Sequence, residues 1–458
     1  MCFFAARARP RRAAVIRLLP LAAALCVAAG PSSAPAAAAP PEFFGINAGG
    51  VLDLPAEQRE AHLSAMAAAG MKTLRLDASW SSVQPTAPNS ERNYRWDGLD
   101  AIAGAFARHG MRWYPVLAYS TEWSGQIAGD VMSAPAGTAA YAEYARSFAA
   151  RYGTGGSFWA EHPELPALPT THYEIWNEPN ARMFWRSQDT APEQYAELYV
   201  AARAAIKTVD PGGLVVTGGL LDANASDVHV FLQRMVRHRP ELRSTIDAVG
   251  YHPYQYRYAS IIDGIRRFRR TMDQVGLAGA AMEITEIGIT TAWVSEGERA
   301  ATMSRLAREL PDGDEGVTRF LPFVWLASDR YDDPVRPAEP DHWWGMVRRD
   351  LRPTATATAY LAAMRLAQAA PVALATDRAA VGRSARINSG VTRRTGRAAS
   401  RQRGTRARRG GPCLTRARAR GSSRGRCFAA PTRAAAAVAP GTGVVRSLAI
   451  SAALRARP

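Results

Sequence analysis

Between residues 41 and 370 one pattern repeats eight times: a short apolar run, a loop, then a stretch with apolar residues at helical spacing. The apolar runs are 43–48, 73–78, 112–118, 173–177, 214–219, 248–251, 281–286 and 320–326. The helical stretches are 56–69, 99–108, 141–150, 192–209, 228–237, 258–275, 298–309 and 354–369, the first two closed by Gly70 and Gly110. Strands alternating with helices pair in parallel, because a parallel connection needs a crossover. Eight such units predict an α/β protein, a (β/α)8 TIM barrel over 41–371. A doubly wound open sheet is the alternative. Its mark is a Gly-rich phosphate turn after the first strand, and Gly45-Ile46-Asn47-Ala48-Gly49-Gly50 is not G-x-G-x-x-G and opens no helix.

The net charge of +17 suggests a nucleic-acid partner until it is divided along the chain. Residues 1–40 carry five Arg and 378–458 carry twenty, with no acid in either, so 41–377 has a net charge of −8. No nucleic-acid partner is expected for an acidic barrel. The four cysteines also lie at the ends, as Cys2, Cys26, Cys413 and Cys427. The middle therefore has no Cys nucleophile, Cys-ligated metal or disulfide framework.

Residues 1–40 read as a signal peptide. Arg7, Arg9, Arg11, Arg12 and Arg17 precede an apolar run at 18–29, and Ala37-Ala38-Ala39 fits a small-x-small cleavage site. A membrane anchor is the alternative. Arg11-Arg12 suggests twin-Arg export, while bulky Leu25 argues against a lipoprotein at Cys26. A secreted or periplasmic location is expected. With no second run of eighteen apolar residues, no membrane partner is expected. Residues 372–458 have a disordered, Arg-rich, low-complexity composition. That tail binds polyanions, has no selected function, or arises from a shifted reading frame, since Arg, Ala, Gly and Pro are what GC-rich codons yield out of frame.

Barrel chemistry sits at the C-terminal ends of strands. The fourth run ends in Tyr173-Glu174-Ile175-Trp176-Asn177-Glu178-Pro179-Asn180, with Pro179 stopping the ladder at Glu178. The seventh ends in Met282-Glu283-Ile284-Thr285-Glu286-Ile287-Gly288, where Gly288 permits a close approach of backbone or ligand. These strands lie nearly opposite, so Glu178 and Glu286 can face one cleft. Two carboxylates across a cleft are the machinery of glycoside hydrolysis, one protonated and one ionised. By alternation Glu283 points away from Glu286, and Glu174 shares a face with Glu178 at a deeper level. The eight His show no H-x-H or H-x-x-x-H spacing with an acid at a strand end, so no metal and no cofactor are expected.

Trp176-Asn177-Glu178-Pro179 and Thr285-Glu286-Ile287-Gly288 resemble the acid/base and nucleophile signatures of clan A glycoside hydrolases, retaining (β/α)8 enzymes, families 39 and 5 being most alike. Leu74-Arg75-Leu76-Asp77, Trp80, Val83-Gln84-Pro85 and Trp123 resemble the clan as well. The likeness covers roughly 41–370. It implies Glu178 as acid/base and Glu286 as nucleophile, with carboxyl groups about 5–5.5 Å apart. For substrate binding it implies Arg75 beside the nucleophile, Asn177 on the sugar 2-hydroxyl, and His252 and Tyr254 from the sixth strand, Tyr254 orienting Glu286. It also implies Trp325 as an aromatic floor under the sugar. The chain departs from family 5 after the third strand, where Tyr119-Ser120 replaces a His. Trp80, Trp123, Trp185, Trp293, Trp343 and Trp344 are further candidates for stacking on sugar faces. The expected activity is hydrolysis of a β-linked oligo- or polysaccharide. Two competing readings are an inactive carbohydrate-binding protein on the same scaffold and a polyanion binder acting through its tail.

Overall fold

Among the described residues nine strands, all paired in parallel, run in chain order around one sheet. They are β1 (Ile46–Asn47), β2 (Thr73–Ser79), β3 (Arg112–Ala118), β4 (His172–Ile175), β5 (Leu214–Thr217), β6 (Leu220–Leu221), β7 (Ala248–His252), β8 (Ala281–Ile284) and β9 (Val317–Phe320). This is a computed structural model; it describes residues 38–40, 42–88, 94–186, 189–223, 227–326 and 344–369. β5 and β6 both pair with β7 and act as one stave broken at Gly218-Gly219, giving eight staves. Bridges Phe44↔Phe320 and Gly49↔Leu326 join the first stave to the last and close the barrel.

Helices follow the staves on the outside: α1 (Ala56–Ala68), α2 (Trp80–Val83), α3 (Asp97–Arg108), α4 (Thr138–Tyr152), α5 (Ser157–Glu161), α6 (Ala191–Lys207), α7 (Val228–His238), α8 (Leu242–Thr245), α9 (Tyr258–Gln274), α10 (Glu296–Glu309) and α11 (Ala355–Ala369). The long ones pack by one stripe. In α9, Ile261, Ile265, Phe268 and Met272 are buried at three- and four-residue spacing while the arginines face outward. α10 starts where Ser295 and Glu298 form a reciprocal capping box, which occupies otherwise unpaired backbone N–H groups. Between sheet and helices lies an aromatic layer that includes Trp80 stacked on Tyr144 and Trp113 edge-on to Phe148.

Register fixes what points inside. Arg75 pairs with Tyr114, Glu174 with Val216, and Gly250 with Glu283, so these share the inward face. Tyr114, Val216, Ala248 and Leu321 form a small apolar cluster of their own. The barrel interior is thus filled, with polar groups on either side of that plug.

The eightfold plan matches the expected barrel, and the boundaries differ for local reasons. The last strand lies three residues upstream of the expected start, at Val317–Phe320, because Pro322 has no N–H for the ladder. The fourth and seventh end early, at Ile175 and Ile284, where the chain turns inward to form the site. Short α2, α5 and α8 occupy stretches without apolar periodicity. The expected signal peptide lies outside the described residues except for 38–40, as does the Arg-rich tail. Among the described residues no helix is long and apolar enough to cross a membrane.

Candidate active site

Arg75, on the inward face of β2, organises the mouth of the barrel. Its Nε donates to Glu174 Oε2 at 2.7 Å and Nη2 to Glu174 Oε1 at 3.0 Å and Asn177 Oδ1 at 2.8 Å. Nη1 donates to Asn47 Oδ1 at 2.8 Å and to Glu286. A guanidinium has five N–H donors, and all five are spent. Burial opposes its charge, but Glu174 and Glu286 outweigh that and push its pKa above the ordinary guanidinium value. Asn47 is fixed in turn, donating Nδ2 to the carbonyls of Thr285 and Leu321 at 3.0 Å. Four strand ends are thereby tied together through one cation.

Glu178 reaches this network through an unusual backbone. Trp176 has φ 68° and Glu178 φ 43°, both in the left-handed region that side chains other than Gly's rarely adopt. Each costs about 1–3 kcal/mol and persists only where surroundings over-determine it. The turn sends Trp176 out to Tyr119 and Trp185 and swings Asn177 in to Arg75. Plain alternation would have done the reverse.

Glu178 Oε1 lies 2.7 Å from His252 Nδ1. Thr285 Oγ1 donates to Glu174 Oε1 at 3.3 Å and sits 2.9 Å from His252 Nε2. Nε2 therefore carries the proton, and Nδ1 is the acceptor that faces Glu178. Burial, then the charge of Arg75, push His252 well below its ordinary pKa, which keeps it neutral. Burial, then the charge of Glu286, push the Glu178 carboxyl well above its ordinary value. A protonated Glu178 donating to a neutral His252 satisfies both. The close packing also explains Gly219: a Cβ there would stand 1.9 Å from His252 Nε2. Across the cleft Tyr254 donates its hydroxyl to Glu286 Oε2 at 2.6 Å. One ligand atom each from Glu178, His252 and Glu286 lie within 4.8 Å of one another. These three can offer a metal ion one atom each, but Glu286 is already ion-paired with Arg75, whose cation would repel a second one.

No protein-family profile matches the chain. A β-xylosidase of Geobacillus stearothermophilus is 24% identical over 200 residues, 39% of this chain. The chain spans 37% of that relative's length. A solved monomeric β-xylosidase from Caulobacter crescentus CB15 has a TM-score of 0.54 at 21% identity, over 71% of this chain and 69% of its own. The GH39 enzyme from Xanthomonas axonopodis pv. citri gives 0.55 at 17%, over 72% and 68%. The chain shares the fold of these solved enzymes.

In this barrel Glu178, Glu286, Arg75, Asn177, His252 and Tyr254 come together, and Trp325 does not. Trp325 is buried and donates its indole N–H to His62 of α1 at 3.1 Å, so it belongs to the helical layer and is not a sugar floor. Substrate binding by Arg75 and His252 is also corrected. Arg75 has no free donor, and His252 is 0% exposed with both nitrogens engaged; each positions a carboxylate. Asn177 does fit a sugar contact: Arg75 takes its Oδ1, and its Nδ2 has no partner among the described residues. Glu283 is corrected too. It points into the barrel as Glu286 does, because Glu286 lies beyond the end of β8, where alternation no longer counts. Trp344, by contrast, packs 5.8 Å from Tyr254, and its ring fills the space a Cβ on Gly288 would need. Trp80 and Trp185 are core, Trp123 is half-buried, Trp293 is exposed, and Trp343 lies outside the described residues. Asn47 was missed from sequence, although a polar residue within an apolar strand run was a readable signal.

Proposed function

We propose that this chain is a retaining glycosidase that cleaves O-glycosidic bonds of a β-linked oligo- or polysaccharide, outside the cell if its N-terminus acts as a leader. The observation that carries the reading is the unequal pair of carboxyl groups: Glu178 is pushed toward its protonated form, Glu286 accepts from Arg75 and Tyr254, and one oxygen of each lies within 4.8 Å of the other. That closeness favours direct attack over an intervening water, which needs about 6.5–9.5 Å between the groups.

In the first step Glu286 attacks the anomeric carbon, the glycosidic C–O bond breaks, and the Glu178 proton passes to the leaving oxygen. The ester then removes the charge on Glu286, the second cause holding Glu178 protonated. Glu178 becomes the better base for it. It takes a proton from water, whose oxygen attacks the same carbon and releases Glu286 as carboxylate.

Two of the proteins this chain resembles are β-xylosidases, so aryl β-xylosides are the first substrates to assay. Proton NMR of the first product formed from a β-linked substrate tests the mechanism. The β-anomer is expected; an initial α-anomer would mean inversion and sink the reading.

A further inference from the structure

One carboxylate at the barrel mouth has no part in the network above. Asp77 follows Arg75 by two residues on β2 and shares its inward face by alternation. An inward-facing barrel residue is normally covered by the opposite staves. Asp77 is exposed, which at that position means it lines the open cleft. It has no hydrogen-bond partner among the described residues. Its electrostatic neighbours are Arg75, Glu286 and Glu174, and Tyr119 at the end of β3 feels its charge in turn.

We propose that Asp77 is a sugar-contacting, specificity-determining carboxylate, which accepts hydrogen bonds from hydroxyls of a neutral sugar bound beside Glu286 and repels a uronic acid there. This rests on the glycosidase reading of the same cleft. A lone carboxylate at a cleft wall is an acceptor awaiting donors, and vicinal hydroxyls supply them in charge-assisted form. The repulsion follows from the charges present. A sugar carboxylate placed beside Glu286 meets two like charges. Among the described residues in hydrogen-bond contact with Glu178 or Glu286, Arg75 is the one permanent cation, and its five donors are occupied. Asp77 is also held at a cost to the fold. Burial first pushes its carboxyl up, Arg75 pulls it down, Glu286 and Glu174 push it up again, and the balance stands at about 6. Solvent reaches the group from the mouth while protein walls it on the other sides; the exposure decides that a ligand can reach it too. A charge kept where its surroundings disfavour it is what a binding residue looks like and what a packing residue avoids.

The test uses the full chain and two probes that differ in one group, phenyl 1-thio-β-D-glucopyranoside and phenyl 1-thio-β-D-glucuronide. Their thio linkage keeps them uncleaved while binding is measured by calorimetry. The wild type is expected to favour the glucoside, and Asp77→Asn to narrow that preference by about tenfold, the scale of one like charge acting across a screened cleft. Asp77→Asn is expected to melt no lower than the wild type. An unchanged preference in Asp77→Asn, a wild type that favours the glucuronide or binds neither probe, or a variant that melts far below the wild type would each overturn the inference. A protein that hydrolyses no glycoside yet shows the Asp77-dependent preference loses the proposed reaction and keeps this inference. Turnover with an Asp77-independent preference does the opposite.

Discussion

The barrel interior holds two buried polar clusters on either side of the Tyr114 plug, built from the same residue types and tuned in opposite directions. In the lower one Glu283 accepts from the Tyr114 hydroxyl at 2.6 Å and lies 3.3 Å from His172 and 3.9 Å from Arg319. Burial alone would raise its carboxyl, but His172, Arg319 and Tyr114 outweigh it and hold the pKa below the ordinary value. In the upper one Arg75 is shared among Glu174, Glu286 and Asn177, and among the described residues Glu178 receives no cation in hydrogen-bond contact. Its carboxyl is pushed up, not down. Burial is common to both clusters, so burial does not make a site. The difference is whether each acid has its own compensating donors. A fully compensated acid serves the fold, and an undercompensated one is left with a proton to give.

Three experiments bear on that contrast. The largest effect is expected from Glu286→Ala, which should reduce turnover on the order of 10⁴-fold. Turnover surviving in this variant would place the nucleophile elsewhere. In the lower cluster the expected loss is of stability. Glu283→Ala takes the acceptor from the buried Tyr114 hydroxyl and leaves Arg319 with Glu42 as its remaining carboxylate, which costs about 1–3 kcal/mol, while kcat measured well below the new melting temperature stays close to wild type. A Glu283→Ala protein with unchanged stability and collapsed kcat would reverse the roles of the two clusters. The smallest effect is a titration. Glu286→Gln removes a charge that helps hold the Glu178 proton, so Glu178 should ionise at lower pH than in the wild type. Because its folded pKa stands above its unfolded one, Glu178 binds its proton more tightly in the folded state, and stability falls as pH rises above the ordinary carboxylate range. Glu286→Gln should weaken that fall. Carboxyl infrared bands followed against pH, with Glu178→Gln as the assignment control, measure the shift. A Glu178 band that titrates identically in both proteins would remove Glu286 as its neighbour in the electrostatic sense.

Much of this was legible beforehand because it is encoded in short segments. The alternation of apolar runs and amphipathic stretches set the barrel. A polar, Pro-stopped strand end set Glu178, and its counterpart at 282–288 set Glu286. Tyr254 and Arg75 both lie against Glu286, since both lie on or just past strands whose register follows from the apolar pattern. The resemblance put Trp325 at the end of an expected 320–326 strand, but that strand is Val317–Phe320, and Trp325 lies beyond it with its indole turned to His62. Asp77 was read as part of a motif and given no task. Only its exposure at an inward position distinguishes it from a filled barrel interior.

The sequence by itself determined the eight staves, the order in which they pair and which two strand ends carry the paired acids. These follow from periods of two and 3.6 residues that need no distant partner. The tertiary structure alone decided the protonation logic. Left-handed Trp176 and Glu178 reverse the alternation at the end of β4, and the five donors of Arg75 are divided among groups up to 211 residues away. The field at a carboxyl depends on what the folded chain brings within a few ångströms of it, and no local period in the sequence records that distance.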